Sequence, residues 1–196
     1  MTVKEAKKLV KQRLSEERFY HTKCVARAAK KLAPQFGADV EKAVLAAWLH
    51  DILKEDPKPD LLKRVQASAI IFGYKVEESP QLWHAFAGGD YVEQELGVDP
   101  EIASAVSWHT TGKPDMTPLE KTVFLADYIS DDRHFTGVEE IRKISYRSAE
   151  KGLRRAMKQT IDHLREKGLT VNENTIEALE YLETHDSQEN QDGEDK

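Results

Sequence analysis

Apolar residues recur at three-to-four spacing along almost the entire chain, the pattern of helices that each bury one face. Val3, Ala6, Leu9, Val10 and Leu14 open the series. Cys24, Val25, Ala28, Ala29 and Leu32 continue it, and Gly37 stops it. Asp39 is placed to cap a helix over 40–53, after which Pro57 and Pro59 break the chain. Asp60 can cap a helix through 72, ended by Gly73. Ser79-Pro80, Asp99-Pro100 and Thr117-Pro118 each set a capping side chain before a proline at the first helical position. Thr117 with Glu120, and Thr136 with Glu139, read as capping boxes. Longer helical patterns cover 148–167, ended by Gly168, and 173–184, capped by Asn172.

No stretch alternates polar and apolar residues as a strand would, and no repeat of 20–50 residues is present. The pattern therefore predicts an all-α fold, a single domain of about eight to ten helices over 1–185. Residues 186–196 carry no apolar side chain and read as a disordered acidic tail. A chain of 196 residues can bury a core without staples, and its one cysteine cannot form an internal disulfide, which favours a reducing compartment. With 29 Lys+Arg against 35 Asp+Glu, the net charge of −6 offers no basic field for nucleic acid. The apolar run near 44–49 is too short to cross a membrane, and the N-terminus lacks a signal peptide's apolar core. A soluble cytoplasmic protein with neither nucleic acid nor membrane as partner is expected.

The chemistry lies in where histidine and aspartate fall. His50-Asp51 ends an apolar helix, Asp127 stands alone in Val123-Phe124-Leu125-Ala126-Asp127-Tyr128-Ile129, and His21 lies on an earlier helix. His84 and His109 each follow a tryptophan. A carboxylate in an apolar run is costly to bury unless a cation faces it. Imidazole and carboxylate together suit Fe, Mn, Zn or Co. Adjacent helical residues point about 100° apart, so His50 and Asp51 share an ion only near a helix end, or if Asp51 bridges two ions. Four histidines and two aspartates are too many for one open site and about right for two bridged metals. Each residue also has a plain alternative: a packed histidine, an ion-paired Asp127, or a helix-terminal Asp51. His134, His163 and His185 are read in that plain way.

The ordered set resembles the HD-domain metal-dependent phosphohydrolases. It is most similar to the binuclear YqeK-type proteins, which are symmetrical bis(5′-nucleosyl)-tetraphosphatases. The segments that carry the resemblance are Arg18-Phe19-Tyr20-His21-Thr22, Trp48-Leu49-His50-Asp51-Ile52-Leu53-Lys54, Trp83-His84-Ala85, Trp108-His109-Thr110-Thr111-Gly112 and Leu125-Ala126-Asp127-Tyr128-Ile129. The resemblance spans about 1–185 and implies an HD-type hydrolase domain there. It implies His21, His50, Asp51 and Asp127 on a first metal, with Asp51 bridging to a second held by His84 and His109. Two divalent ions are implied, iron foremost, with Mn, Co or Zn as alternatives. Lys54, four residues after His50 and so on the same helical face, and Arg133 are implied on the phosphates. Arg18, Thr110 and Thr111 are further candidate substrate contacts, although Gly112 can equally end the helix. Where many relatives carry a proline-containing stretch, this chain has Ser130-Asp131-Asp132 before Arg133.

The reaction this implies is cleavage of diadenosine tetraphosphate in its middle to two ADP, by metal-activated hydroxide attack on a phosphoanhydride. Asp51, Lys54 and Arg133 would be its catalytic residues. Two alternatives keep the metal: hydrolysis of another nucleotide (a nucleoside monophosphate or a cyclic dinucleotide), or a non-enzymatic metal-stabilised nucleotide-binding module. No Gly-Tyr-Pro follows a His-Asp pair, which argues against cyclic-di-GMP. Six ligands exceed the roughly four of a closed structural site. A homodimer is a further expectation of the resemblance, while Ala85-Phe86-Ala87 and Ser68-Ala69-Ile70-Ile71-Phe72 read as core.

Overall fold

The computed structural model describes residues 1–68 and 79–192, with side chains through 185. The described residues form ten helices and no strand: α1 (Val3–Arg13), α2 (Glu16–Phe36), α3 (Val40–Leu49), α4 (Lys58–Ala67), α5 (Trp83–Gln94), α6 (Pro100–Trp108), α7 (Pro118–Ile129), α8 (Val138–Arg147), α9 (Ala149–Glu166) and α10 (Glu173–Asp192). The strongest local signals hold. Asp39 caps α3, Asp99 caps α6 ahead of Pro100, and Thr117 with Glu120 closes a full capping box on α7.

α3 is the centre of the molecule. Ala43, Leu45, Ala46, Ala47, Trp48 and Leu49 are all buried, so the helix is apolar round nearly its whole circumference. It packs against α1, α2, α6 and α7, and α2 also lies along α7. α5 packs on α6 through a close approach that only glycine allows: a Cβ at Gly89 would stand 1.8 Å from Ser107 Oγ and 2.8 Å from Ala103 O. Ala85, Phe86 and Ala87 are buried in the core as their apolar character predicts.

Five sequence expectations shift. α3 stops at Leu49 rather than 53. Amide-to-carbonyl bonds from Ile52 to Leu49, Lys54 to Asp51 and Asp56 to Leu53 carry the chain on in tight turns. Ile52 and Leu53 are buried either way, so the apolar pattern could not distinguish turn from helix. Ser79-Pro80 opens a turn, with Leu82 N donating to Ser79 O, and α5 begins only at Trp83. The expected box at Thr136 does not form: Gly137 takes the N-cap position with φ +88°, a left-handed conformation costly for other residues, and Glu139 turns to Arg142. α4 begins at Lys58 behind Pro57 and ends at Ala67. The predicted extension of that helix to 72, its stop at Gly73 and the core role of 69–72 lie outside the described residues. α10 continues through Asp192, into the stretch expected to form a disordered tail, and 193–196 lie outside the described residues.

Candidate metal centre

Four helices and the end of α3 converge on one buried spot. α2 brings His21, α5 brings His84, α6 ends at His109, α7 brings Asp127, and His50 with Asp51 stands just past α3. The four histidines and Asp51 are buried, and Asp127 is partly so. The imidazoles form a chain, with centroids 5.4 Å apart for His21–His50, 5.0 Å for His50–His109 and 5.3 Å for His84–His109. His50 keeps helical dihedrals (φ −54°, ψ −39°), so it and Asp51 meet at this spot as neighbours at the end of α3.

The Asp51 carboxylate faces both ways. Its Oδ2 lies 3.5 Å from His50 Nε2, and its Oδ1 lies 3.2 Å from His84 Nε2 and 3.6 Å from His109 Nε2. His21 Nε2 is 3.0 Å from Asp127 Oδ1. Two triads therefore have ligand atoms all within 4.8 Å of one another: His21, His50, Asp127, and His50, Asp51, His109.

The rings are held from behind. Carbonyl oxygens of Ala47 and Val106 lie 2.7 Å from Nδ1 of His50 and His109, and each accepts that nitrogen's proton. Asp132 Oδ2 lies 2.7 Å from His21 Nδ1. This fixes the tautomer that aims an Nε2 lone pair inward, the usual support of a metal-binding histidine. His21 Nε2, His50 Nε2 and Asp51 Oδ1 are buried with no hydrogen-bond partner. Orphaned buried polar atoms are costly, and a divalent cation, displacing the proton that His21 otherwise holds, satisfies all three, so the donor set fits a metal.

The electrostatics agree. Burial favours the neutral forms of Asp51 and Asp127 but is overcome, at Asp51 by His50, His109 and His84 and at Asp127 by Arg133 and His21, so both carboxyls stay ionised well below the usual range. Burial pushes His84 down to about 4 and also lowers His109, leaving both neutral and able to coordinate.

Cations rim the cluster. Arg133 Nη2 is 2.5 Å from Asp127 Oδ1 and its Nε donates to Asp127 O. Arg18 Nη1 is 3.4 Å from Asp51 Oδ2. Lys54 is not on a helical face shared with His50, because the helix has ended, yet the turns bring its Nζ to 3.7 Å from Asp51 Oδ1 and 2.9 Å from His84 Nε2. Burial lowers the Lys54 ammonium's pKa against the pull of Asp51 and Asp127. Thr110 keeps a buried hydroxyl without a partner, whereas Thr111 donates to Gly112 O and closes the turn after α6. His134, His163 and His185 are exposed and belong to neither triad.

Two supporting residues were not anticipated from sequence. One is Asp132. The other is Arg142 on α8, whose guanidinium donates to the carbonyls of Ile129, Ser130 and Arg133 and so clamps the connection that carries Asp132 and Arg133. The departure at Ser130-Asp131-Asp132 was the only sequence signal for the first, and nothing marked the second.

A cavity of about 270 Å³, lined by Glu17, Arg18, Tyr20, His21, Asp132 and Arg133, opens onto the centre. A larger one of about 490 Å³ lies between α4 and α5 and touches none of the six candidate ligands. Its arginines are already engaged, Arg13 with Asp56 and Arg64 with Asp90 and Glu95. Among the described residues no helix is long and apolar enough to cross a membrane.

Comparison with known proteins gives a consistent picture. The HD domain profile matches residues 18–132. A Bacillus subtilis protein named "Bis(5'-nucleosyl)-tetraphosphatase, symmetrical" is 39% identical over 183 residues, covering 93% of this chain and 98% of that protein. A Staphylococcus aureus protein of the same name is 36% identical over 194 residues, covering 95% and 97%. The crystal structure of a predicted HD superfamily hydrolase involved in NAD metabolism, from Clostridium acetobutylicum, superposes with a TM-score of 0.85. It is 31% identical and the match covers 94% of this chain and 98% of that one. This chain belongs to the HD domain family.

Proposed function

We propose that this protein is a metal-dependent hydrolase that cleaves diadenosine tetraphosphate symmetrically: substrate and one water give two ADP. The observation that carries the two-ion form of this reading is the divided Asp51 carboxylate, one oxygen toward His50 and the other toward His84 and His109. His21, His50, Asp51 and Asp127 would hold one ion, and Asp51, His84 and His109 the second. Bound there, divalent ions would supply an activated water and Lewis acidity toward the phosphoanhydride. The resemblance to the HD-domain hydrolases puts iron first, and Mn, Co and Zn are equally suited to imidazole and carboxylate.

The chain's own groups do the rest. Arg133 and Arg18 stand beside Asp127 and Asp51, so a polyphosphate entering the adjacent cavity meets two guanidinium forks suited to its oxygens. Lys54 offers a half-buried ammonium where negative charge grows on the phosphoryl oxygens during transfer. Thr110 has a free hydroxyl to give. The leaving group is a nucleoside diphosphate, stable enough as an anion to depart without a strong acid. Residues 1–185 form the catalytic unit in this reading. The cytoplasmic setting rests on the single buried cysteine. A homodimer is carried over from the family resemblance, and a 22.3 kDa particle in sedimentation contradicts it.

Chromatography of the products tests the reading. ADP as the sole nucleotide product supports it. ATP with AMP means asymmetric cleavage and a different pocket, and no turnover of this substrate moves the search to other nucleotides.

A further inference from the structure

The cavity beside the metal centre has one wall that phosphate chemistry does not use. Tyr20 is 54% exposed, one of few large apolar side chains open to solvent among the described residues. It immediately precedes His21 on α2, and Glu17 lies one turn earlier on the same side of the helix. Both line the cavity together with Arg18 and Arg133. The cavity thus grades from two guanidinium groups, beside Asp51 and Asp127, to a solvent-exposed aromatic ring with a carboxylate at the rim. A nucleoside diphosphate has the same order of parts: phosphates, then a ribose rich in hydroxyl donors, then a flat π-face. An exposed ring beside a phosphate-binding wall is the usual means of holding a base by stacking.

We infer that Tyr20 is the stacking platform for one base of the substrate, with Glu17 accepting from its sugar hydroxyls and Arg18 and Arg133 on the adjoining phosphates. The inference rests on the proposed hydrolase reading and assigns a nucleoside subsite to it. It makes α2 serve both ends of one substrate half, His21 inward and Tyr20 outward.

The test uses the full, metal-loaded chain and three probes: diadenosine tetraphosphate for kinetics, and ADP and pyrophosphate for calorimetric binding. Removing a stacked base costs roughly 5- to 150-fold, so Tyr20→Ala raises KM and the ADP dissociation constant by a factor in that range, with the loss falling on KM rather than kcat. Pyrophosphate, which has no base, binds the variant as it binds wild type. Tyr20→Phe keeps the ring and restores both values. Because Tyr20 is exposed, its replacement leaves folding intact, which a melting curve and metal content verify. An unchanged KM and ADP affinity in Tyr20→Ala overturns the inference. So does equal weakening of ADP and pyrophosphate, which would place Tyr20 in support of the metal centre, or failure of Tyr20→Phe to restore. If wild type does not turn over diadenosine tetraphosphate, the hydrolase reading falls, and the contrast between ADP and pyrophosphate still decides the role of Tyr20 separately.

Discussion

Asp132 Oδ2 sits 2.7 Å from Nδ1 of His21, on the face of the ring away from Asp127. The carboxylate thereby orients the imidazole and raises the basicity of the nitrogen offered to a metal. Support of this kind typically changes metal affinity about 10- to 100-fold. Asp132→Ala is expected to weaken metal binding by that factor in competition with a chelator. Asp132→Asn, which keeps an acceptor oxygen, should recover most of the loss. Arg142→Ala should act in the same direction, since it frees the connection that positions Asp132.

In the two-ion reading, the second ion would depend on few groups. His84 approaches Asp51 from α5 and takes no part in the His21, His50, Asp127 triad. His84→Ala should therefore lower bound metal from two ions per chain to one, by elemental analysis, and abolish turnover while leaving the melting profile cooperative. Retention of two ions would place the second one elsewhere.

Acidity separates the metal-free protein from the loaded one. Burial opposes the charge on His21, but the carboxylates of Asp127 and Asp132 on its two nitrogens prevail and raise its pKa from 6.5 to about 9. A raised pKa means that the folded state holds the proton longer than the unfolded one. This stabilisation is complete below pH 6.5 and is lost as pH rises through about 9. His84 has the opposite sign: held down to about 4 by burial, it adds stability as pH rises from 4 to 6.5. The metal-free protein should therefore melt highest near pH 6.5. The loaded protein should lack the fall on the alkaline side, because a metal replaces the His21 proton. Melting curves from pH 4 to 9, with and without chelator, check this. A metal-free protein equally stable at both ends of the alkaline range would contradict it.

Gly89 links packing to the site. A methyl there meets Ser107 Oγ and Ala103 O, forcing α5 from α6. Overpacking of this kind costs typically about 1–3 kcal/mol. For a chain of this length, each kcal/mol lowers Tm by about 2–4 °C. Gly89→Ala should show that drop and also lose metal, because His84 and His109 ride on the two separated helices.

Where structure follows from short-range rules, the sequence was a sufficient guide. Asp99-Pro100 and the Thr117–Glu120 box mark helix starts because cap and proline act within one turn. The six candidate ligands stood out because a carboxylate such as Asp51 or Asp127 in an apolar run is costly without a cation, and the family resemblance supplied their order and proposed roles. What escaped was set by tertiary contact. The stop of α3 is hidden in a continuous apolar run, since Ile52 and Leu53 are buried in turn or helix alike. Asp132 reaches His21 from 111 residues away, and no local pattern pairs them. Thr110 and Thr111 looked equivalent, and only the turn geometry separates the free hydroxyl from the engaged one.

The central claim is a pair of ions bridged by Asp51 that drives symmetrical cleavage. Its most direct test is a metal titration of the chelated chain. Bound ions per chain, turnover of diadenosine tetraphosphate and product identity would be followed together, with Asp51→Ala alongside. The account predicts that turnover appears only as the second equivalent binds, that ADP is the only product, and that Asp51→Ala neither holds two ions nor turns over. Full activity at one ion per chain, or undiminished activity in Asp51→Ala, would contradict it.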